Sequence, residues 1–347
     1  MKKFAIFAMF VLAATMFAAC GAESGEKAAA PKKVSVVATI YPQYDWLKNV
    51  VGDRLDAVDL KLLIKNGTDL HSYKPSAQDV ASIAGADMVV YVGGESDEWI
   101  EKALEATPKK GRVQVNLMEA LGDRVKEEEV VEGMEHEHHH EHAEEHEEHE
   151  HHEHAEEHEE HEHHQEEAEN DEHIWLSLKN ASILVNRLAD SLSKLDPAHA
   201  ESYRANAAVY VAKVNGLDAS FAAAVNEAQR KTVLFGDRFP FRYLVDDYGI
   251  KYYAAFVGCS AESEASFETV AFLAGKMDSL SLPAIFTIDG SDGKIARAIL
   301  EASKKSKDAQ VLTLNSMQSV TDAQIKAGAD YLSMMLSNLE VLKTALK

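Results

Sequence analysis

Short apolar runs alternate with amphipathic stretches along most of the 347-residue chain. Runs rich in β-branched residues predict strands, and apolar residues spaced three and four apart predict helices between them. The predicted strands are 34–40, 55–64, 87–92, 113–117, 232–236, 250–256, 284–289 and 309–315. Because strands that alternate with helices favour parallel sheets, the pattern predicts an α/β fold of two lobes, each a mostly parallel sheet with flanking helices.

A long helix is predicted to join the two lobes, which we place at 34–118 and 231–347. Within the linking segment, 173–230, the pair Asp196-Pro197 marks a helix start, because Asp is a good N-cap and Pro suits the first turn. The helix would then run to about residue 229, a length of roughly 50 Å at 1.5 Å per residue. A last amphipathic helix is predicted over 322–346.

The alternation stops at residues 119–172, which are acidic and rich in histidine. Of the 17 histidines, 14 lie between His136 and His164, where the unit HAEEHEEHEHHE is written almost twice. With few large apolar residues the segment cannot bury enough surface to fold alone, so we expect a disordered insertion. It would bind several metal ions weakly, or act only as a solvated acidic spacer.

The net charge of -23 is confined to this insertion. Residues 127–172 contain 23 acids and no Lys or Arg, which leaves 35 acids and 35 bases elsewhere. The neutral remainder argues against nucleic-acid binding, which requires a basic face.

The N-terminus predicts export. Lys2 and Lys3 precede an apolar run that is too short for a membrane span and ends at Cys20. Residues 1–20 resemble a bacterial lipoprotein signal peptide, which implies that Cys20 is lipidated and anchors the chain to a membrane outside the cytoplasm. Residues 21–33 would form a flexible tether.

Three histidines lie outside the insertion. His71 is in a loop after a predicted strand, where ligands gather in parallel sheets, although a solvated loop histidine fits equally. His173 follows two acids where the insertion meets ordered chain, and is either a ligand or the last member of the histidine-rich run. We expect His199 to be exposed and without a role. Cys259, the one cysteine besides Cys20, is expected to be a small core residue.

Several of these stretches resemble the cluster A-I metal-binding receptors of bacterial ABC importers for zinc and manganese. The resemblance covers essentially the whole mature chain and is carried by TIYP at 39–42, GTDLHSYKP at 67–75, ADMVVY at 86–91, DEHIWL at 171–176, YGI at 248–250 and YLSMM at 331–335. The resemblance implies a non-catalytic monomer that delivers metal to an ABC permease, with His71 and His173 as ligands.

One ligand of the family is missing. The second lobe of its members usually supplies a His or Glu, and Arg238 stands at that position here. Since a guanidinium cannot coordinate a cation, we expect a carboxylate instead: Asp289 first, because it ends a strand, then Asp292 or Asp237. Alternatively, Arg238 pairs with one of these acids, or Asp289 and Asp292 only cap a helix and a turn.

The expected cargo is Zn²⁺, because imidazole and carboxylate ligands suit zinc, whereas manganese prefers more oxygen. The predicted function is an extracytoplasmic solute-binding protein that captures Zn²⁺ for an ABC importer. The alternatives are a receptor or buffer for Mn²⁺, copper or nickel, and a zinc hydrolase that would use His-His-Asp and a bound water.

Overall fold

Two four-stranded parallel sheets form the two lobes of the chain in a computed structural model that describes residues 33–134, 169–260 and 264–347. The first sheet has the order β2-β1-β3-β4, with β1 Val34–Ala38, β2 Val58–Leu62, β3 Met88–Tyr91 and β4 Val113–Asn116. The second has the order β6-β5-β7-β8, with β5 Thr232–Phe239, β6 Lys251–Val257, β7 Ala284–Ile288 and β8 Gln310–Leu314. The predicted fold class is confirmed.

Helices flank both sheets and connect them. They are α1 Tyr41–Val51, α2 Ala77–Gly85, α3 Glu98–Ala106, α4 Leu117–Leu121, α5 Leu178–Leu195, α6 Ala200–Glu227, α7 Arg242–Tyr248, α8 Phe267–Leu280, α9 Lys294–Ala302, α10 Asp322–Lys326 and α11 Tyr331–Ala345. The linking helix α6 has 28 residues, which gives a length of about 42 Å at 1.5 Å per residue. The long helix predicted between the lobes is therefore present.

The apolar core extends through both lobes. Strands β3 and β7 are buried along their whole length, as expected for parallel strands that are covered on both faces. One buried polar group, Asp45 on α1, accepts hydrogen bonds from the Tyr331 amide of α11 and from the Tyr210 hydroxyl of α6. Burial raises the pKa of Asp45 to about 6. This carboxyl thus connects the first lobe to the linking and C-terminal helices.

The C-terminal helix differs from its prediction. Instead of one helix over 322–346, the chain forms α10 and α11, which are separated at Gly328. Gly328 has a φ of 89°, in the left-handed region that glycine adopts readily. The amphipathic pattern continues across this break, so it did not indicate that the backbone turns there.

Both ends of the predicted insertion belong to the folded body. Glu127 pairs with Asn170 in an antiparallel bridge, and Asp171 and Glu172 are buried. Asp171 accepts a hydrogen bond from the His173 amide and Glu172 accepts one from the Ser96 amide. The predicted disorder of 119–172 is therefore wrong at both ends, because these carboxylates have partners that composition does not show.

Other predictions fall outside the described residues. The signal peptide 1–20 with Cys20, the tether as far as residue 32, and the histidine-rich repeat are among them, and these assignments stay predictions. The exact domain limits also stay predictions. In the part of the chain that the structure describes, none of the helices has the length and apolar character needed to cross a membrane.

Candidate metal centre

The structure brings His71 and His173 together. His71 lies in a short 3-10 turn, Leu70–Ser72, beyond the end of β2, and the Asp69 side chain caps this turn by accepting from the His71 amide. His173 directly precedes a second 3-10 turn, Ile174–Leu176. The two Nε2 atoms are 3.0 Å apart, although the residues are separated by 102 positions in sequence.

The spacing of the two imidazoles fits a shared metal ion. With Zn–N bonds of about 2.05 Å and a tetrahedral angle, two ligand nitrogens would lie about 3.3 Å apart. The observed separation of 3.0 Å is close to that value. The ring of His173 is fully buried and that of His71 is 6% exposed, so both rings are shielded from bulk water.

The second nitrogen of each ring has a hydrogen-bonding partner. The Asp171 carboxylate lies 3.0 Å from His173 Nδ1 and accepts a hydrogen bond from its N–H group, which leaves a lone pair on Nε2. His71 Nδ1 lies 2.8 Å from the Ser96 hydroxyl. Partners of this kind fix the orientation of histidines that bind metals.

His71 is neutral in this site, and a carboxylate lies nearby. Burial, followed by the adjacent His173, lowers the pKa of His71 to about 3, so its ring carries no charge at neutral pH. Glu172 lies close by, with one oxygen 3.8 Å from His71 Nδ1 and without a hydrogen-bond partner among the described residues. Burial raises the pKa of Glu172.

A third potential ligand is Cys259. Its Sγ and one nitrogen each of His71 and His173 all lie within 4.8 Å of one another, and no other such group occurs within the described residues. Burial, followed by the Glu128 carboxylate, raises the pKa of the thiol. The expectation that Cys259 is merely a core residue missed this grouping. Its position just beyond β6 was the available signal, the same one that singled out His71.

The predicted carboxylate ligand is not part of this group. Asp289 accepts hydrogen bonds from the Ser316 hydroxyl at 2.7 Å and the Ser319 hydroxyl at 3.0 Å. It lines a cleft of about 570 Å³ that extends from His71. Of the two alternatives, Asp292 pairs with Lys294 and Asp237 accepts from backbone amides. Coordination by any of these acids stays a prediction.

The loop held by Asp289 carries another side chain to the site. Gln318 Nε2 lies 2.8 Å from His173 Nε2, and the buried Oε1 of Gln318 has no hydrogen-bond partner among the described residues. The Trp175 indole further fixes the loop by donating to the Ser316 carbonyl. No motif in the sequence indicated this role of Gln318.

Arg238 connects the two lobes. Its guanidinium donates to Asp69 of the first lobe at 2.6 Å and to the Ser260 carbonyl of the second lobe at 3.2 Å. Instead of the alternative pairing with Asp237, Asp289 or Asp292, the guanidinium forms an ion pair with Asp69 across the cleft. Burial opposes ionisation of Asp69, but the attraction of Arg238 outweighs it and lowers the pKa of Asp69.

The remaining ordered histidine has a different environment. His199 Nδ1 lies 2.7 Å from Asp196 at the start of the linking helix. It is not a member of the ligand group.

Comparisons with known proteins agree with this architecture. The zinc-binding protein AdcA of Streptococcus pyogenes serotype M3 is 30% identical over 343 residues, which is 99% of this chain and 61% of that protein. The high-affinity zinc uptake system protein ZnuA of Bacillus subtilis is 30% identical over 342 residues, 97% of each chain. The Zn(II)-bound ZnuA-like domain of Streptococcus pneumoniae AdcA superimposes with a TM-score of 0.66 at 28% identity, covering 90% of this chain and 99% of that domain.

The extent of these matches defines the relationship. The chain spans about three fifths of the streptococcal AdcA proteins but nearly all of the Bacillus protein. The family model for the periplasmic component A of zinc-uptake complexes matches residues 36–345, which includes both sheets and the two ordered histidines at the cleft. The chain therefore belongs to the zinc-uptake complex component A family.

Proposed function

We propose that this chain captures Zn²⁺ outside the cytoplasm and delivers it to an ABC-type importer. The observation that carries the proposal is the 3.0 Å approach of His71 Nε2 to His173 Nε2 in a shielded site. Relatives named for zinc binding and zinc uptake support the same cargo. The proposal includes lipid anchoring through Cys20 and a place in the cell envelope.

The position of the site suggests how the ion is released. His71 belongs to a turn of the first lobe, whereas Cys259 follows β6 of the second. If the lobes separate, the side chains of the second lobe withdraw from the imidazole pair and the ion loses ligands. A permease that binds the open arrangement better than the closed one would shift the population towards release.

The proposed role is binding without catalysis. The relatives are named as binding proteins and uptake components rather than as enzymes. The two imidazoles are shielded from bulk water, which suits a site that retains its ion until the lobes move.

Metal content and calorimetry test this proposal. Native protein should carry zinc when its metals are measured by mass spectrometry. His71→Ala and His173→Ala should each weaken the tight site by at least about 100-fold, because each removes a direct metal bond, a larger loss than the 10- to 100-fold seen for supporting residues. His199→Ala is the matched control and should bind as the parent does. Equal affinities for all three variants, or a different native metal, would overturn the proposal.

A further inference from the structure

The second lobe presents a thiol to the imidazole pair. The Cys259 sulfur lies within 4.8 Å of one ring nitrogen of His71 and one ring nitrogen of His173. With Zn–S of about 2.3 Å and Zn–N of about 2.05 Å, a tetrahedral ion would place sulfur and nitrogen about 3.6 Å apart. A closing movement of at most about 1.2 Å would therefore bring sulfur and nitrogen to coordinating distances.

The backbone around Cys259 allows the thiol to lie close to the imidazole pair. A Cβ at the preceding Gly258 would lie 2.9 Å from His173 Cε1 and 3.0 Å from the Phe239 carbonyl. Only glycine therefore lets the chain pass so near the imidazole. The Cys259 amide donates to Glu128 at 2.9 Å, and Arg238 donates to the carbonyl of the next residue, Ser260. The turn is thus fixed on both sides of the thiol.

The other second-lobe candidates are already engaged. Arg238 cannot coordinate a cation and is paired with Asp69. Asp289 accepts hydrogen bonds from two serine hydroxyls, and it is not in the group of atoms that lie within 4.8 Å of one another. The Gln318 side chain, which is 4% exposed, reaches His173 Nε2 with an amide whose oxygen has no hydrogen-bond partner among the described residues. This buried side chain, with its unpartnered oxygen, lies against the same imidazole pair.

We infer that Cys259 supplies the second lobe's metal ligand, so that Zn²⁺ is held by His71 Nε2, His173 Nε2 and the Cys259 thiolate. The Gln318 amide faces the remaining position. This assignment rests on the proposed function and identifies the ligand that Arg238 does not provide. As the Zn–S bond forms, the thiol proton passes to solvent, since only the thiolate coordinates.

A thiolate also sets the metal preference. Sulfur ligands suit zinc, whereas manganese prefers carboxylate, carbonyl and water oxygens. A site of two imidazoles and one thiolate therefore excludes manganese more strongly than two imidazoles and a carboxylate would. Cys259 is accordingly a specificity-determining residue as well as a ligand.

Cobalt substitution tests the assignment on the full chain. Co²⁺ bound to a thiolate gives an intense near-ultraviolet charge-transfer band, which imidazole and carboxylate ligands do not give. The parent should show this band at one equivalent of bound Co²⁺, and Cys259→Ser should lose it together with about 100-fold of zinc affinity. Cys20→Ser is the matched control and should keep both. A band that persists in Cys259→Ser, or is absent from the parent, would overturn the thiolate ligand.

A second variant separates this inference from the proposed function. Cys259→Asp keeps an anionic ligand but replaces sulfur with oxygen, so the ratio of zinc to manganese affinity should fall at least tenfold. An unchanged ratio would count against Cys259 as the selective ligand, while tight zinc binding that depends on His71 and His173 would leave the receptor function standing. Thermal unfolding of each variant confirms that the fold is retained.

Discussion

The ion pair between Arg238 and Asp69 should act as a latch that keeps the two lobes closed on the metal. Asp69 caps the turn that carries His71, and Arg238 holds the carbonyl of Ser260, next to Cys259. The guanidinium thereby couples both halves of the site. We expect its loss to favour the open arrangement and to speed the release of zinc.

The magnitude follows from the geometry of the pair. The donor and acceptor are 2.6 Å apart and the side chains are 17% and 21% exposed. Two charges about 4 Å apart at an effective dielectric of about 20 attract by about 4 kcal/mol before the cost of desolvation. Hydrogen bonds to charged groups contribute about 1.5–3 kcal/mol net. Taking about 2 kcal/mol, breaking the latch should weaken zinc binding about 30-fold, at tenfold per 1.4 kcal/mol.

The opposite charges of Arg238 and Asp69 distinguish a latch between the lobes from a purely electrostatic effect on the zinc ion. If the pair acts only through its charges, Arg238→Gln should tighten zinc binding and Asp69→Asn should weaken it. If the pair is a latch, both single variants should release zinc faster, and the double variant should resemble either one, because the two changes remove the same contact.

The assay is stopped-flow transfer of zinc from the tight site to a coloured chelator. Lys294→Gln removes a cation from the same cleft, but one that belongs to an exposed pair with Asp292. Exposed pairs contribute little, so this control should release zinc at the parent rate. Opposite effects of Arg238→Gln and Asp69→Asn, or additive effects in the double variant, would refute the latch.

Three further predictions concern the insertion, the loop and the core. Deleting residues 135–165 should lower the zinc stoichiometry in calorimetry but leave one tight site; loss of all tight binding would place the site in the repeat. Asp289→Asn should weaken zinc binding about tenfold, as for loss of a supporting residue, because Asp289 holds the loop that carries Gln318. A variant that binds zinc as tightly as the parent would exclude both this role and direct coordination. Asp45→Asn should flatten the pH dependence of the free energy of unfolding. Below pH 3.8 the Asp45 carboxyl is protonated in both the folded and the unfolded chain, so its burial costs nothing. Above pH 6 its raised pKa lowers the free energy of unfolding by about 3 kcal/mol, at 1.36 kcal/mol per pH unit. The difference in thermal midpoint between the parent and this variant should therefore change between pH 4 and 6, and a constant difference would contradict it.

Local pattern was sufficient to predict the sheets and to single out the two histidines that the fold brings together. Strands such as β3 and β7 are continuous apolar runs because both faces are buried, and such runs are visible in sequence. His71 and His173 lie in distinctive motifs, the first beyond the end of a strand, so position and resemblance singled them out. These features depend on residues that are close together along the chain.

The third ligand position depended on contacts that no local pattern shows. Arg238 pairs with Asp69, which is 169 positions away and in the other lobe. Asp289 directly follows β7, and its oxygens accept hydrogen bonds from serines of a loop about 30 residues later. Cys259 was expected to be a core residue although its position just beyond β6 was a signal, and the fold brings it beside the imidazoles.

The bridge between Glu127 and Asn170 determines where the histidine-rich repeat is attached. Next to the bridge, Glu128 accepts from the Cys259 amide and Asp171 accepts from the His173 ring. The described chain on both sides of the insertion therefore contacts the proposed ligands at Glu128 and Asp171. Segments joined by short flexible linkers meet at effective concentrations of the order of millimolar. If the repeat binds metal as predicted, an ion passed from it to the cleft would move within one molecule, at a rate independent of protein concentration.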